Sequence, residues 1–140
     1  MHLSTYLIFD GDCRAAFEFY QRCLGGEIVA MLPFSEAPDS ESIPAESRDR
    51  IMHARLVMDG QALMGSDNTP ECPLPYEGIK GTHITVGVDT PQEAERIFQA
   101  LADNGTVNMP LEETFWAERF GMLVDRFGVS WMVNCEKQSM

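Results

Sequence analysis

The sequence predicts an α+β fold built from two tandem β-α-β-β-β modules, and three observations carry that prediction. The chain repeats itself once at an offset of 78 residues without a gap: Thr5 matches His83, Asp12 matches Thr90, Ala16 matches Ala94, Tyr20 matches Phe98 and Leu24 matches Ala102. Each copy runs from an apolar strand-like segment through a capping residue into a helix with one apolar face, and then a glycine. Asp59-Gly60, between Ile51–Met58 and Gln61–Gly65, is the dipeptide a two-residue hairpin needs, because both turn positions require positive φ. A duplicated unit of this kind is one domain with a site expected between its copies.

In the first module, Leu3–Phe9 reads as a strand ended by Asp10-Gly11, with Asp12 placed to cap a helix by accepting from its free N–H groups. Ala16, Phe19, Tyr20, Cys23 and Leu24 recur at helical spacing, and Gly25-Gly26 stops the run. Glu27–Leu32 is the second strand. Pro33 to Arg50, with Pro33, Pro38 and Pro44 among serines and acids, reads as a long mobile loop; the alternatives are a lid and a disordered insertion, and composition favours the insertion. The hairpin completes a module over residues 1–66.

Ser66 to Gly81, rich in Pro70, Pro73, Pro75 and glycine, is the connection, which puts the boundary near residue 80. The second module covers 82–136. It opens with His83, Thr85 and Gly87 alternating with Ile84, Val86 and Val88, the period of a strand with one face in the core. Thr90-Pro91-Gln92-Glu93 is a capping box with proline at the first helical position. The apolar face Ala94, Ile97, Phe98 and Leu101 runs to Asn104-Gly105, and Thr106–Met109, Arg119–Val124 and Val129–Cys135 supply three strands.

The chain's 140 residues are enough for one domain, and 44% hydrophobic with 23% charged residues is ordinary globular composition. No stretch approaches the ~18 apolar residues of a membrane span. The N-terminus has no basic segment followed by an apolar one, so a cytoplasmic protein without an export signal is expected. Ten basic against 22 acidic residues give a net charge of −12, which repels nucleic acid and anionic lipid; neither is an expected partner. Cys13, Cys23, Cys72 and Cys135 form no C-x-x-C pair, which argues against disulfides and structural zinc, and Cys23 and Cys135 read as core.

The duplicated order, with Phe19-Tyr20 in the first helix followed by Leu24-Gly25-Gly26, resembles the glyoxalase/bleomycin-resistance/dioxygenase superfamily, the vicinal oxygen chelate fold. Glu113-Thr114-Phe115-Trp116-Ala117, Phe120-Gly121 and the run Asp125 to Asn134 resemble its PhnB-like branch. The resemblance spans nearly the whole chain and implies that the modules curl into an incomplete barrel, that small molecules bind in its cavity, and that the protein is a homodimer. In enzymes of the superfamily one divalent metal is held by one residue from each of four strands. Those positions fall here on Thr5, Met64, His83 and Met132.

Only His83 of these is an expected ligand. A hydroxyl and two thioethers offer a hard or borderline divalent ion neither charge compensation nor sufficient affinity. The expectation is therefore no metal cofactor and a small-molecule site floored by Met64 and Met132, whose flexible, polarizable side chains suit an adaptable apolar surface. His83 is then a hydrogen-bonding group, a general base or an inherited position satisfied by a neighbour.

His53 and Arg55 share one strand face and read either as an anchor for an anionic ligand or as a solvated face. Phe115, Trp116 and Phe120 form an aromatic cluster that covers a bound molecule or makes a subunit contact. Glu118 and Arg119 read as surface. The nine methionines mostly fill core gaps in strands.

Two other function classes stand beside the binder. One is a metal-dependent lyase or dioxygenase in which His83 and partner-chain groups, Glu118 or His53, hold Ni, Zn or Fe to polarise vicinal oxygens. The other is a structural or interaction protein whose cavity is filled by Met64, Met132 and Trp116. Members of the branch carry a demethylubiquinone methyltransferase label. The glycine-rich strand-to-helix turn that would hold a methyl-donor nucleotide is not in this sequence, so that label is discounted.

Overall fold

The computed structural model describes residues 1–69 and 76–137; Cys72 and the connection prolines Pro70, Pro73 and Pro75 lie outside the described residues. The chain divides after Gly78 into two compact units, each a β-α-β-β-β module. In the first unit, β1 (Thr5–Phe9) leads into α1 (Cys13–Leu24), then β2 (Glu27–Pro33), β3 (Ile51–Met58) and β4 (Gln61–Asp67). The sheet order is β1-β4-β3-β2, with β1 parallel to β4 and the other pairs antiparallel. The helix carries the chain to the far edge, and the antiparallel return delivers β4 beside β1 in β1's own direction.

The second unit repeats the plan with β5 (Ile84–Val88), α2 (Pro91–Ala102), β6 (Thr106–Glu112), β7 (Ala117–Val124) and β8 (Ser130–Glu136), in the order β5-β8-β7-β6. Each helix covers one face of its own sheet. Cys13, Ala16, Phe17, Phe19, Tyr20 and Cys23 of α1 are buried, with Phe17 edge-on to Phe9 at 6.4 Å. On α2 the buried set is Ala94, Ile97, Phe98 and Leu101. Leaving one sheet face uncovered is what gives each unit room for a site.

The duplication has a gap. The helices are offset by 78, Cys13 to Pro91 and Leu24 to Ala102, but the first strands are offset by 79, Thr5 to Ile84 and Phe9 to Val88. Asp10-Gly11-Asp12 joins β1 to α1, whereas Asp89-Thr90 joins β5 to α2. Gly11, at φ +101, absorbs the additional residue in a backbone conformation that side chains rarely adopt. The structural counterpart of Thr5 is therefore Ile84, one residue after His83.

The two helix caps differ. Thr90 accepts the Glu93 N–H on its hydroxyl at 3.1 Å, as its capping box predicts. Asp12 makes no side-chain cap bond. The cap comes instead from Asp67 at the end of β4, whose Oδ1 accepts the N–H groups of Gly11 at 2.9 Å and Cys13 at 3.0 Å while Oδ2 accepts that of Ile51 at 2.9 Å. The expected end of β4 at Gly65 is corrected for the same reason: β1 continues alongside and pairs Phe9 with Asp67.

Leu3 lies outside β1 and is exposed, β6 continues past Met109 to Glu112, and β7 begins at Ala117. Irregular register after Val107 and Met109, around Pro110, hid the length of β6. The stretch expected to be a mobile loop contains three 3-10 turns, Phe34–Glu36, Ser40–Ser42 and Ala45–Ser47. Arg48 donates to the Ile43 carbonyl at 2.9 Å, and Arg50 binds Asp10 at 2.7 Å and the Asn68 carbonyl at 2.9 Å, which ties the loop's end to the residues that follow β1 and β4. No helix among the described residues is long and apolar enough to cross a membrane.

Candidate functional site on the open sheet faces

Alternation assigns each strand residue a side. In the first sheet Leu7, Phe9, Ala54, Leu56 and Leu63 are buried on the helix side. Their neighbours Tyr6 and Ile8 on β1, His53 and Arg55 on β3 and Met64 on β4 stand on the open side, where Tyr6, Met64 and Arg55 make one cross-strand row. Tyr6 is 45% exposed and Ile8 41%, high values for apolar strand residues. The Tyr6 hydroxyl is hydrogen-bonded to Nδ1 of His53 at 3.3 Å, and the two rings stack with centroids 5.9 Å apart.

In the second sheet, Trp131, Val133 and Cys135 turn to the helix and are buried. On the open side Thr85, Met132 and Met122 form one row and Gly87, Asn134 and Phe120 the next. The Thr85 hydroxyl donates to the Met132 sulfur at 3.8 Å. Asn134 Oδ1 is closed off from solvent with no donor, an acceptor left open beside the methionines. Trp116 meets Phe120 edge-on at 5.5 Å and Phe115 at 4.7 Å. Thr114 fixes that connection, its Oγ1 accepting the N–H groups of Trp116 and Ala117 at 3.3 and 3.0 Å.

The structure thus gathers Met64 with His53 in the first unit, and Met132, Phe120 and Trp116 in the second. His83 is exposed and directly precedes β5. Thr5, also exposed, shares the alternation of Leu7 and Phe9; the β1 residue beside Met64 on the open side is Tyr6, which ungapped alignment of the modules missed by one position. An aromatic residue alternating with Leu7 and Phe9 was the available signal. Arg119 pairs with Glu95 of α2 at 3.4 Å and the Cys135 thiol donates to Glu118 at 3.9 Å, so the Glu118–Arg119 pair is engaged on the helix side.

In neither unit do these positions fit a divalent metal: Tyr6 and Met64 supply neither imidazole nor carboxylate, and Thr85 and Met132, with His83 before the strand, supply one imidazole and no carboxylate. Among the described residues no group of three or more His, Cys, Asp and Glu side chains comes together to hold an ion. Cys13 and Cys135 are poor nucleophiles. Burial, then the Asp67 carboxylate, pushes Cys13 up to about 12, with Arg14 opposing; burial and Glu118 also raise Cys135.

Paired β-α-β-β-β modules, each with one helix-covered and one open sheet face, define a protein of the glyoxalase/bleomycin-resistance superfamily fold. Within it, the chain belongs to the PhnB-like family described as 3-demethylubiquinone-9 3-methyltransferase, which it matches over residues 1–134. It is 39% identical to Protein YjdN of Escherichia coli (strain K12), over 99% of this chain and 97% of that one. Its structure is similar to protein PA1353 from Pseudomonas aeruginosa, at 56% identity, TM-score 0.90 and 99% coverage of both chains. It is also similar to the PhnB protein from Bacillus cereus, at 26% identity, TM-score 0.77 and coverage of 96% and 99%. A glyoxalase-related enzyme from Fulvimarina pelagi shares the fold alone, at 15% identity and TM-score 0.65 over 97% of this chain and 88% of that one.

Proposed function

We propose that this chain is a metal-independent small-molecule binding protein whose ligand rests its apolar part on the methionine-bearing open sheet faces. The carrying observation is the row Thr85–Met132–Met122, which sets two thioethers side by side, Met132 at a position where the resemblance expects a metal ligand. Thioether side chains adapt to ligand shape at little conformational cost. The reading includes a cytoplasmic homodimer.

The methyltransferase description of the family is not adopted as the function. The strand-to-helix connections, Asp10-Gly11-Asp12 and Asp89-Thr90, carry one glycine and none, which gives a nucleotide's phosphate or ribose no glycine-rich cradle.

The test combines metal content by plasma emission, on untagged protein before and after exposure to Ni, Zn, Mn and Fe, with binding of the neutral fluorophore Nile red. Expected are substoichiometric metal and saturable Nile red binding, weakened about fivefold by Met132→Gln with an unchanged circular dichroism melt. Stoichiometric metal would overturn the reading in favour of the lyase or dioxygenase class with His83 as a ligand. Absence of Nile red binding would leave the structural class, and retained S-adenosylmethionine would restore the methyltransferase. Sedimentation velocity checks the dimer.

A further inference from the structure

The open side of the first sheet carries a cation without a counter-ion. Arg55 is exposed, and among the described residues the ion pairs engage Arg50, Arg96, Arg119, Arg126 and Lys137 but not Arg55. Two residues back along β3 on the same side, about 7 Å away by strand geometry, stands His53. Its ring is held by stacking on Tyr6 and by the 3.3 Å bond to the Tyr6 hydroxyl. In the tautomer whose Nδ1 accepts that hydroxyl, the imidazole proton sits on Nε2, a second donor beside the guanidinium. Met64 lies in the same row, and the exposed side chain of Ile8 follows Tyr6 on the same side of β1.

We propose that this face is the binding site for a small organic oxyanion, a carboxylate or a phosphate ester with an apolar body. Arg55 takes the oxyanion through its planar fork, His53 Nε2–H adds a hydrogen bond, and Met64 and Ile8 carry the apolar part. Tyr6 is a positioning residue: it orients the imidazole and selects its tautomer. Salt damps the field of carboxylates farther than ~8 Å away, so at this face the adjacent Arg55 outweighs the net charge of −12. Glu27, opposite Val57 on β2, makes no ion pair with Arg55. The inference rests on the small-molecule reading above and narrows it to a ligand class.

The experiment is calorimetric titration of the wild type, Arg55→Gln and Tyr6→Phe with benzoate, phenyl phosphate and the neutral benzyl alcohol. At least one anion is expected to bind about tenfold or more tightly than benzyl alcohol, and the tighter of the two identifies the oxyanion type. Arg55→Gln should erase that preference and leave benzyl alcohol within about twofold, and Tyr6→Phe should weaken the anion about threefold or more. Both substitutions are at exposed positions, and an unchanged circular dichroism melt reports that each variant keeps its fold. Equal affinity for all three compounds, or an Arg55→Gln variant that binds anions as the wild type does, would overturn the proposal while the binding reading stands. No anion binding by protein that still takes up Nile red would likewise sink the oxyanion assignment alone, whereas loss of both would remove the binding reading as well.

Discussion

The carboxylate of Asp67, the last residue of β4, accepts the backbone N–H of Cys13, the first residue of α1, at 3.0 Å. The bond couples the start of the helix to a strand 54 residues later in the chain. Asp67 is 4% exposed and serves three backbone donors at once, so removing it leaves three N–H groups in the interior without an acceptor. Asp67→Ala is expected to cost about 3 kcal/mol or more and Asp67→Asn about 2 kcal/mol, because an amide N–H₂ would face a donor. Asp12→Ala should stay within about 0.5 kcal/mol. Urea unfolding followed by circular dichroism ranks the three, and a larger loss at Asp12 than at Asp67 would refute the assignment of the cap.

The second unit has its own buried carboxylate. Asp125 Oδ1 accepts the N–H groups of Phe127 and Val129 at 2.8 and 3.0 Å, and its Oδ2 accepts Trp131 Nε1–H at 2.9 Å. Trp131→Phe keeps most of the buried ring but removes that donor, with an expected loss of about 1–3 kcal/mol. Thermal and urea unfolding of the variant measure it. An unchanged midpoint would mean that the indole bond contributes nothing net.

Gly65 and Gly121 are among the glycines that permit close approach. A Cβ on Gly65 would lie 2.8 Å from the Leu7 carbonyl oxygen and 2.9 Å from the Phe17 ring, and one on Gly121 would lie 2.7 Å from the Phe98 ring and 3.0 Å from the Leu111 Cα. Backbone cannot yield as a flexible side-chain tip does, so Gly65→Ala and Gly121→Ala should each destabilise by about 1–3 kcal/mol. An added Cβ at Gly87 meets nothing within 4 Å, which makes Gly87→Ala the control on the open face. Equal melting temperatures for all three variants would contradict this packing.

The buried thiols predict alkaline behaviour. Cys13 holds its proton up to about 12 in the folded chain against an ordinary 9.0, through burial first and Asp67 second. At pH 8 its thiolate fraction is about one in ten thousand, so in a Cys72→Ser background Ellman's reagent should label the native protein far more slowly than the unfolded one. The folded state binds this proton more tightly than the unfolded state does. The resulting stabilisation is complete below pH 9 and is lost as the pH rises toward 12. Cys13→Ala should flatten the fall in urea midpoint over that window; an identical slope would show that another group titrates.

Most of the local signals hold in the structure, the Asp12 cap being an exception. Helical spacing placed both helices, Thr90-Pro91 marked the start of α2, and Asp59-Gly60, with both residues at positive φ, marked the β3–β4 hairpin. Each depends on residues within a few positions of one another, which chain periodicity and turn chemistry report directly. Of the site, Met64, His53, Met132, Phe120 and Trp116 were legible as residue types, but their grouping was not.

The misplacements were non-local. Thr5 was aligned where Tyr6 belongs because ungapped matching carried the helix offset into the strand, and only the pairing of β1 with β4 shows where Gly11 inserts its residue. Asp67 appeared to be the start of a connection, because the donors it satisfies come from Gly11, Cys13 and Ile51, far off in sequence. The sequence by itself determined the duplicated β-α-β-β-β plan, the helix-facing apolar sets and the residue types, Thr5, Met64 and Met132 beside His83, at the positions where the resemblance expects metal ligands. The tertiary structure alone decided which side of each sheet stays open and which side chains meet there. A one-residue slip moves every strand side chain to the opposite face, and only cross-strand register resolves it.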